Sequence, residues 1–133
     1  MTSILHLARL HDWTAALTNP LGYQISTRGA TLNETGFIHG STAAQLPVVA
    51  EFLYTGDPAE LVVLVVDLTA VDAAGTEVKW EDGGAGELYP HIYGPITAAM
   101  VKAALPAGFD GAHFQMPDLT GLGVLNNPPQ QLG

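Results

Sequence analysis

The sequence predicts an α+β fold, a single domain of short strands joined by a few short helices, and three observations predict it. Leu61 to Asp67 is an unbroken apolar run rich in valine and bounded by turn signals, the pattern of a strand buried on both faces. Two separate segments, GFIHGST from Gly36 to Thr42 and YPHIYGP from Tyr89 to Pro95, set a histidine among β-formers and then close with glycine. Helical periodicity is confined to short stretches, because proline and glycine interrupt every longer candidate.

From the N-terminus, Ser3 to Ala8 opens the domain as a strand, and His11 to Leu17 continues as a helix with Trp13 and Leu17 on one face. Asn19-Pro20-Leu21-Gly22 stops that helix. Tyr23 to Thr27 reads as a short strand and Gly36 to His39 as a firmer one, with a polar loop between them. Ser41 can cap a helical turn, but Pro47 lies too deep for one helix begun there. The chain should therefore turn over Thr42 to Gln45 and run helically from Leu46 to Tyr54, with Pro47 in the first turn and Gly56-Asp57-Pro58 at the end. Leu61 to Asp67 is the expected central strand. Glu77 to Glu81 alternates as a strand with Trp80 toward the core, and Asp82 to Gly86 is a glycine loop of the kind that serves as a lid beside a site. Ala99 to Leu105 fits either strand or helix, and Phe109 to Gln115 suggests a last strand. The expected domain covers residues 1–115, and residues 116–133 form an irregular tail rich in proline and glycine.

Composition narrows the chemistry. With 133 residues, 47% apolar and 13% charged, one core is expected, burying roughly two thirds of the surface exposed when unfolded. Net charge is −9, and Arg9, Arg28, Lys79 and Lys102 are the only cationic side chains, spread along the chain without a basic patch. Long nucleic acids and anionic membranes, which are bound through clustered Lys and Arg, are therefore poor partners. The chain has no cysteine, which excludes disulfides, thiol catalysis and thiolate metal sites. LVVLVV is too short to span a bilayer and no signal-peptide pattern opens the chain, so a cytoplasmic protein is expected.

The candidate site residues are the histidines and their neighbours. His6 lies inside an apolar strand, where it is either a core residue with a backbone partner or a cleft residue. His39, Gly40, Ser41 and Thr42 bring an imidazole, two hydroxyls and helix-start amides to one place, suited to ribose or phosphate oxygens; the alternative is a strand residue beside a cap. His91 and Tyr93 share a strand face, so a base or sugar could stack on one and hydrogen-bond the other; the alternative is an aromatic core corner. Glu81 and Glu87 flank the glycine loop and are the glutamates nearest His91, able to orient it or to bind ribose hydroxyls. A metal held by three histidines and a glutamate is a lesser alternative, because the spacings HxH and HxxxH are missing, and no metal is expected. The GxSxG, P-loop and GxGxxG signatures are also missing.

ILHLA with Trp13, GYQIST, GFIHGSTAAQ, LVVLVVDL, VKWE and YPHIYGP stand in an order that resembles the bacterial family known as domain of unknown function 952. The resemblance extends to the ADP-ribosyltransferase-like fold, a split, curved β-sheet with a few short helices, and within it to the tRNA 2′-phosphotransferase branch. It implies that His6 contacts an NAD ribose, that His39, Ser41 and Thr42 line the cleft with Gln45 in support, and that His91 and Tyr93 close the far side. The expected function is then binding of NAD or an ADP-ribose-like nucleotide in a histidine-lined cleft. If the protein is an enzyme, it is a transferase of the ADP-ribosyltransferase type, with Glu87 first, Glu81 second, as the carboxylate at the reacting centre and His91 moving a proton. The other class of function is a non-catalytic nucleotide or metabolite sensor.

Overall fold

The computed structural model describes residues 2–83 and 86–129. It shows a mixed α+β fold whose curled antiparallel sheets carry only short helices. The chain runs β1 (Ser3–Arg9), α1 (Leu10–Ala16), β2 (Ile25–Thr27), β3 (Ala30–Thr31), α2 (Leu32–Thr35), β4 (Ile38–His39), α3 (Leu46–Tyr54) and β5 (Leu61–Asp67). It continues through α4 (Leu68–Ala73), β6 (Val78–Asp82), β7 (Leu88–Ile92), a 3-10 turn at Ala98–Met100, β8 (Val101–Asp110) and β9 (His113–Gln115).

The main sheet has the order β1-β5-β8-β9, so β5 takes the interior position its apolar run predicts. Period-two alternation divides its side chains between two cores. Ile4 and Ala8 of β1 join Val62, Leu64 and Val66 of β5 on one face. Leu5 and Leu7 join Leu61, Val63 and Val65 on the other. The first core is closed by Trp13 of α1 and by Ile38 and Ile92 of the small sheet β4-β7-β6. The second is closed by Leu46, Ala50 and Tyr54 of α3 and by Phe114 of β9. Each fully buried aliphatic side chain contributes about 1.5–3 kcal/mol.

The two sheets separate at Gly40. Up to His39 the chain pairs with β7, where His39 lies directly opposite His91 and Ile38 opposite Ile92. One residue later Ser41 exchanges both backbone hydrogen bonds with Leu5 of β1, each 2.8 Å long. Gly40 itself donates to the Pro90 carbonyl at 2.8 Å, and a Cβ there would stand 2.8 Å from that oxygen and 3.2 Å from Ile4 Cδ1. Only glycine lets the backbone cross so closely between sheets.

Several sequence expectations need correction. The strand expected over Gly36–His39 is two residues long, because Gly36 sits at φ 96 as the left-handed cap of α2. The polar loop before it holds β3 and α2, the latter fixed by a Thr31–Glu34 capping box. Tyr23 makes an isolated bridge to Ile96, and strand β2 starts only at Ile25. The ambiguous Ala99–Leu105 divides, Ala99 and Met100 lying in the 3-10 turn and Val101–Leu105 opening a ten-residue strand, and Phe109–Gln115 is a hairpin turning at Gly111, φ 60. The glycine loop predicted over Asp82–Gly86 includes Gly84 and Ala85, which lie outside the described residues.

From Met116 to Pro129 no helix or paired strand of length forms, yet the segment is docked. Val124 bridges Ser3 in parallel, and Leu119, Leu122 and Val124 pack on the second core. No described helix is long and apolar enough to cross a membrane.

Candidate histidine cleft

Where the sheets part, a cleft of about 400 Å³ opens between β1, β4, β7 and α3. His6, Ser26, Phe37, His39, Ser41 and His91 line one wall, and Val48, Val49, Phe52 and Leu53 of α3 line the other. The structure thus brings all three strand histidines to one place. Their hydrogen bonds show that they do different work.

His6 is 2% exposed, and both of its ring nitrogens are committed. Nδ1–H donates to the His39 carbonyl at 2.6 Å, which leaves Nε2 to accept from the Tyr23 hydroxyl at 2.9 Å. Burial drives its pKa down to about 4 because the interior cannot solvate an imidazolium. His6 gives the cleft a neutral wall and holds β4 in place.

His39 is half-buried. Its Nδ1 lies 2.8 Å from Ser26 Oγ, whose single proton goes to the Phe37 carbonyl 2.5 Å away. The hydroxyl must therefore accept from Nδ1–H, and Nε2 of the neutral ring carries a bare lone pair. Desolvation first, then the neighbouring His91, lowers the pKa of His39 and keeps the ring neutral.

His91 is 6% exposed, and its Nδ1–H donates to Glu81 Oε1 at 2.9 Å. Glu81 is the diagonal cross-strand neighbour on β6, two residues beyond the Lys79 that pairs with His91. The Tyr93 hydroxyl donates to the same carboxylate oxygen. The Tyr93 and His91 hydrogen bonds hold the Glu81 pKa below the ordinary carboxylate range. Phe37 stacks on the His91 ring at 3.9 Å and 17°, and the His39 and His91 ring centres stand 5.7 Å apart at 73°.

The remaining predicted residues fall around the cleft rather than in it, except that Ser41 lines it. Thr42 and Gln45 are buried and form a capping box of their own: Thr42 N donates to Gln45 Oε1 at 3.0 Å and Gln45 N to Thr42 Oγ1 at 3.4 Å. Gln45 Nε2 then reaches across to Glu87 Oε1 at 3.1 Å and the Leu88 carbonyl at 2.7 Å. Glu87 accordingly braces the β6–β7 connection against α3 and does not line the cleft, whereas Glu81 touches His91. Tyr93 orients Glu81 outside the lining, with Lys79 Nζ 4.8 Å above its ring. The helix-start amides expected to meet an anion are occupied, because Ala43 and Ala44 donate to the carbonyls of Leu125 and Asn126.

Sequence reasoning missed Phe37, Ser26 and the apolar wall of α3. Phe37 and Ser26 both stood inside quoted segments, GFIHGST and GYQIST, and the signal was the period of two that sets Phe37 and His39 on one side. Val48 and Phe52 are 65% and 85% exposed, an unusual state for a helix face outside an interaction site. Arg9 and Arg28 turn away from the cleft and share Asp57 Oδ2, at 2.9 and 3.6 Å. Among the described residues, the cleft lining holds no lysine or arginine, and no group of three histidines or acids is placed to hold a metal.

The pattern of the DUF952 family, described as proteins of unknown function, matches residues 7–104, and the chain belongs to this family. Among solved structures, protein CC0527 from Caulobacter crescentus is similar, with a TM-score of 0.69 and 25% identity, covering 85% of this chain and 93% of that one. A double mutant of the same protein gives the same figures. No curated protein matches.

Proposed function

We propose that this DUF952 protein binds a ribose-bearing nucleotide of the NAD or ADP-ribose class in the cleft of His39 and His91. The observation that carries this is the pair of imidazoles set opposite each other on β4 and β7, each anchored through Nδ1 and each with Nε2 unbonded among the described residues. Two fixed acceptors suit sugar hydroxyls, and the exposed apolar side chains of α3 suit a base or nicotinamide ring. With Arg9 and Arg28 held on Asp57, the lining offers sugar and ring contacts but no cation for a pyrophosphate, so the phosphates would lie toward solvent.

The division into a four-stranded and a three-stranded sheet, hinged at Gly40, supports the finer reading of an ADP-ribosyltransferase-like fold. The test is a thermal-shift screen with NAD, ADP-ribose, nicotinamide and inorganic phosphate. A ligand at 100 times its Kd adds about 2.7 kcal/mol of stability. No shift with any nucleotide at millimolar concentration would overturn the proposal, as would unchanged binding in folded His39→Ala and His91→Ala variants.

One geometry favours a second reading, that of a transferase. Glu81 on His91 Nδ1 can stabilise the imidazolium formed when Nε2 takes a proton from an acceptor hydroxyl. Release of nicotinamide from NAD that disappears in Glu81→Gln would support turnover; saturable binding without product leaves a sensor.

A further inference from the structure

We propose, resting on the nucleotide reading above, that the cleft selects nucleotides whose ribose 2′,3′-diol is free and excludes those carrying a phosphate on either hydroxyl, with His39 and His91 enforcing the choice. The selection arises from the hydrogen-bonding groups the two rings can and cannot offer. On the inner side each Nδ1–H is already given to the framework, His39 to a hydroxyl whose own proton is spent on Phe37, His91 to an ionised carboxylate that also accepts from Tyr93. From the two rings the ligand is left with two hydrogen-bond acceptors and no donor.

A diol has two protons to give and can satisfy both rings. A phosphate monoester has oxygens that only accept at neutral pH, so the same two lone pairs repel it. The lining supplies no counter-charge among the described residues, since it holds no lysine or arginine and its one acidic side chain is Asp82. Neither ring can turn to present an N–H instead. Flipping His39 would forfeit the bond to Ser26, and His91 is clamped between its Glu81 bond and the Phe37 ring stacked at 3.9 Å. Ser26 and Glu81 are thus positioning residues for ligand choice.

The isomers 5′-AMP, 2′-AMP and 3′-AMP test this, because they share composition and charge and differ only in where the phosphate sits. Calorimetric titration of the full chain at pH 7.5 should show 5′-AMP binding at least about tenfold more tightly than either isomer, at about 1.4 kcal/mol per tenfold. Equal or tighter binding of 2′-AMP or 3′-AMP overturns the selectivity and leaves the nucleotide reading standing. No binding of 5′-AMP, NAD or ADP-ribose overturns the nucleotide reading itself. Ser26→Ala frees the His39 tautomer, so the ratio between isomers should fall; an unchanged ratio in the folded variant removes His39 from the account. A ligand-free check needs no variant: long-range proton–nitrogen spectra of the wild-type protein should show unprotonated Nε2 on His39 and His91, and an Nε2–H on either overturns the proposal.

Discussion

The four-stranded sheet and the three-stranded sheet differ in composition and in what they bury: β1 and β5 are mostly aliphatic, whereas β6 and β7 mix charged and aromatic residues. In β1 and β5 nearly every side chain is buried and both faces pack, so each position is fixed by neighbours on two sides. In β6 none of the five side chains is fully buried, and the sheet's outer face carries Glu81 and Lys79 beside His91 and Tyr93. A histidine placed in the first sheet, His6, has both nitrogens consumed by the fold; one placed in the second, His91, has only Nδ1 bonded among the described residues. The first sheet spends its histidine on the fold, and the middle strand of the second leaves an imidazole nitrogen without a partner among the described residues.

The largest effect should come from breaking the packed sheet. Leu64→Ala, in the interior strand, removes a fully buried side chain and should cost about 2–5 kcal/mol in urea unfolding. Acid should then expose the cost of burying His6. Its folded pKa, about 4, lies below the unfolded value near 6.5, so below pH 6.5 the unfolded chain takes up a proton that the folded chain refuses. Stability contributed by neutral His6 is complete above pH 6.5, falls as pH drops, and is lost by pH 4, a total of about 3 kcal/mol. His39, also lowered, acts in the same direction. Nitrogen shifts of His6 that titrate near pH 6.5 in the folded protein would break this assignment.

Legibility in the sequence followed the same division. Leu61–Asp67 and Leu46–Tyr54 were readable to the residue, because a continuous apolar run and a proline in a first turn are local signals that packing reinforces. That His6, His39 and His91 meet was suggested only by resemblance, since 33 and 52 residues separate them and register between β4 and β7 is a long-range fact. The roles of the acids were hidden for a similar reason. Glu87 is nearer in sequence to His91 than Glu81 is, but a hairpin register of Glu81 opposite Tyr89 puts the farther acid on the imidazole. The occupied amides of Ala43 and Ala44 were equally unreadable, because their partners come from the far end of the chain.

The junction between the sheets offers a smaller perturbation. Gly40→Ala would place a methyl 2.8 Å from the Pro90 carbonyl and 3.2 Å from Ile4 Cδ1, in a position where backbone must shift. A cost of about 1–3 kcal/mol is expected, together with weakened nucleotide binding, because the displaced segment carries His39. Gly29→Ala is the contrasting control for space: no atom lies within 4 Å of its Cβ, so any cost reflects its left-handed φ of 79 alone. If Gly40→Ala lowers stability but leaves binding intact, the two sheets are less coupled than the crossing implies.

The smallest effect on stability and the sharpest on the site should come from Glu81→Gln. Glu81 is partly exposed, so unfolding should shift little, yet the neutral amide can present either an acceptor or a donor to His91 and no longer imposes one tautomer. Nucleotide affinity should fall about tenfold, the low end of the loss when the carboxylate that orients a metal-binding histidine is removed. Because Tyr93 also donates to Glu81, Tyr93→Phe should leave the imidazole bond in place and reproduce only a fraction of that loss. A Tyr93→Phe effect as large as that of Glu81→Gln would mean the hydroxyl, not the carboxylate, sets the ring, and would move the control of the cleft from β6 to the end of β7.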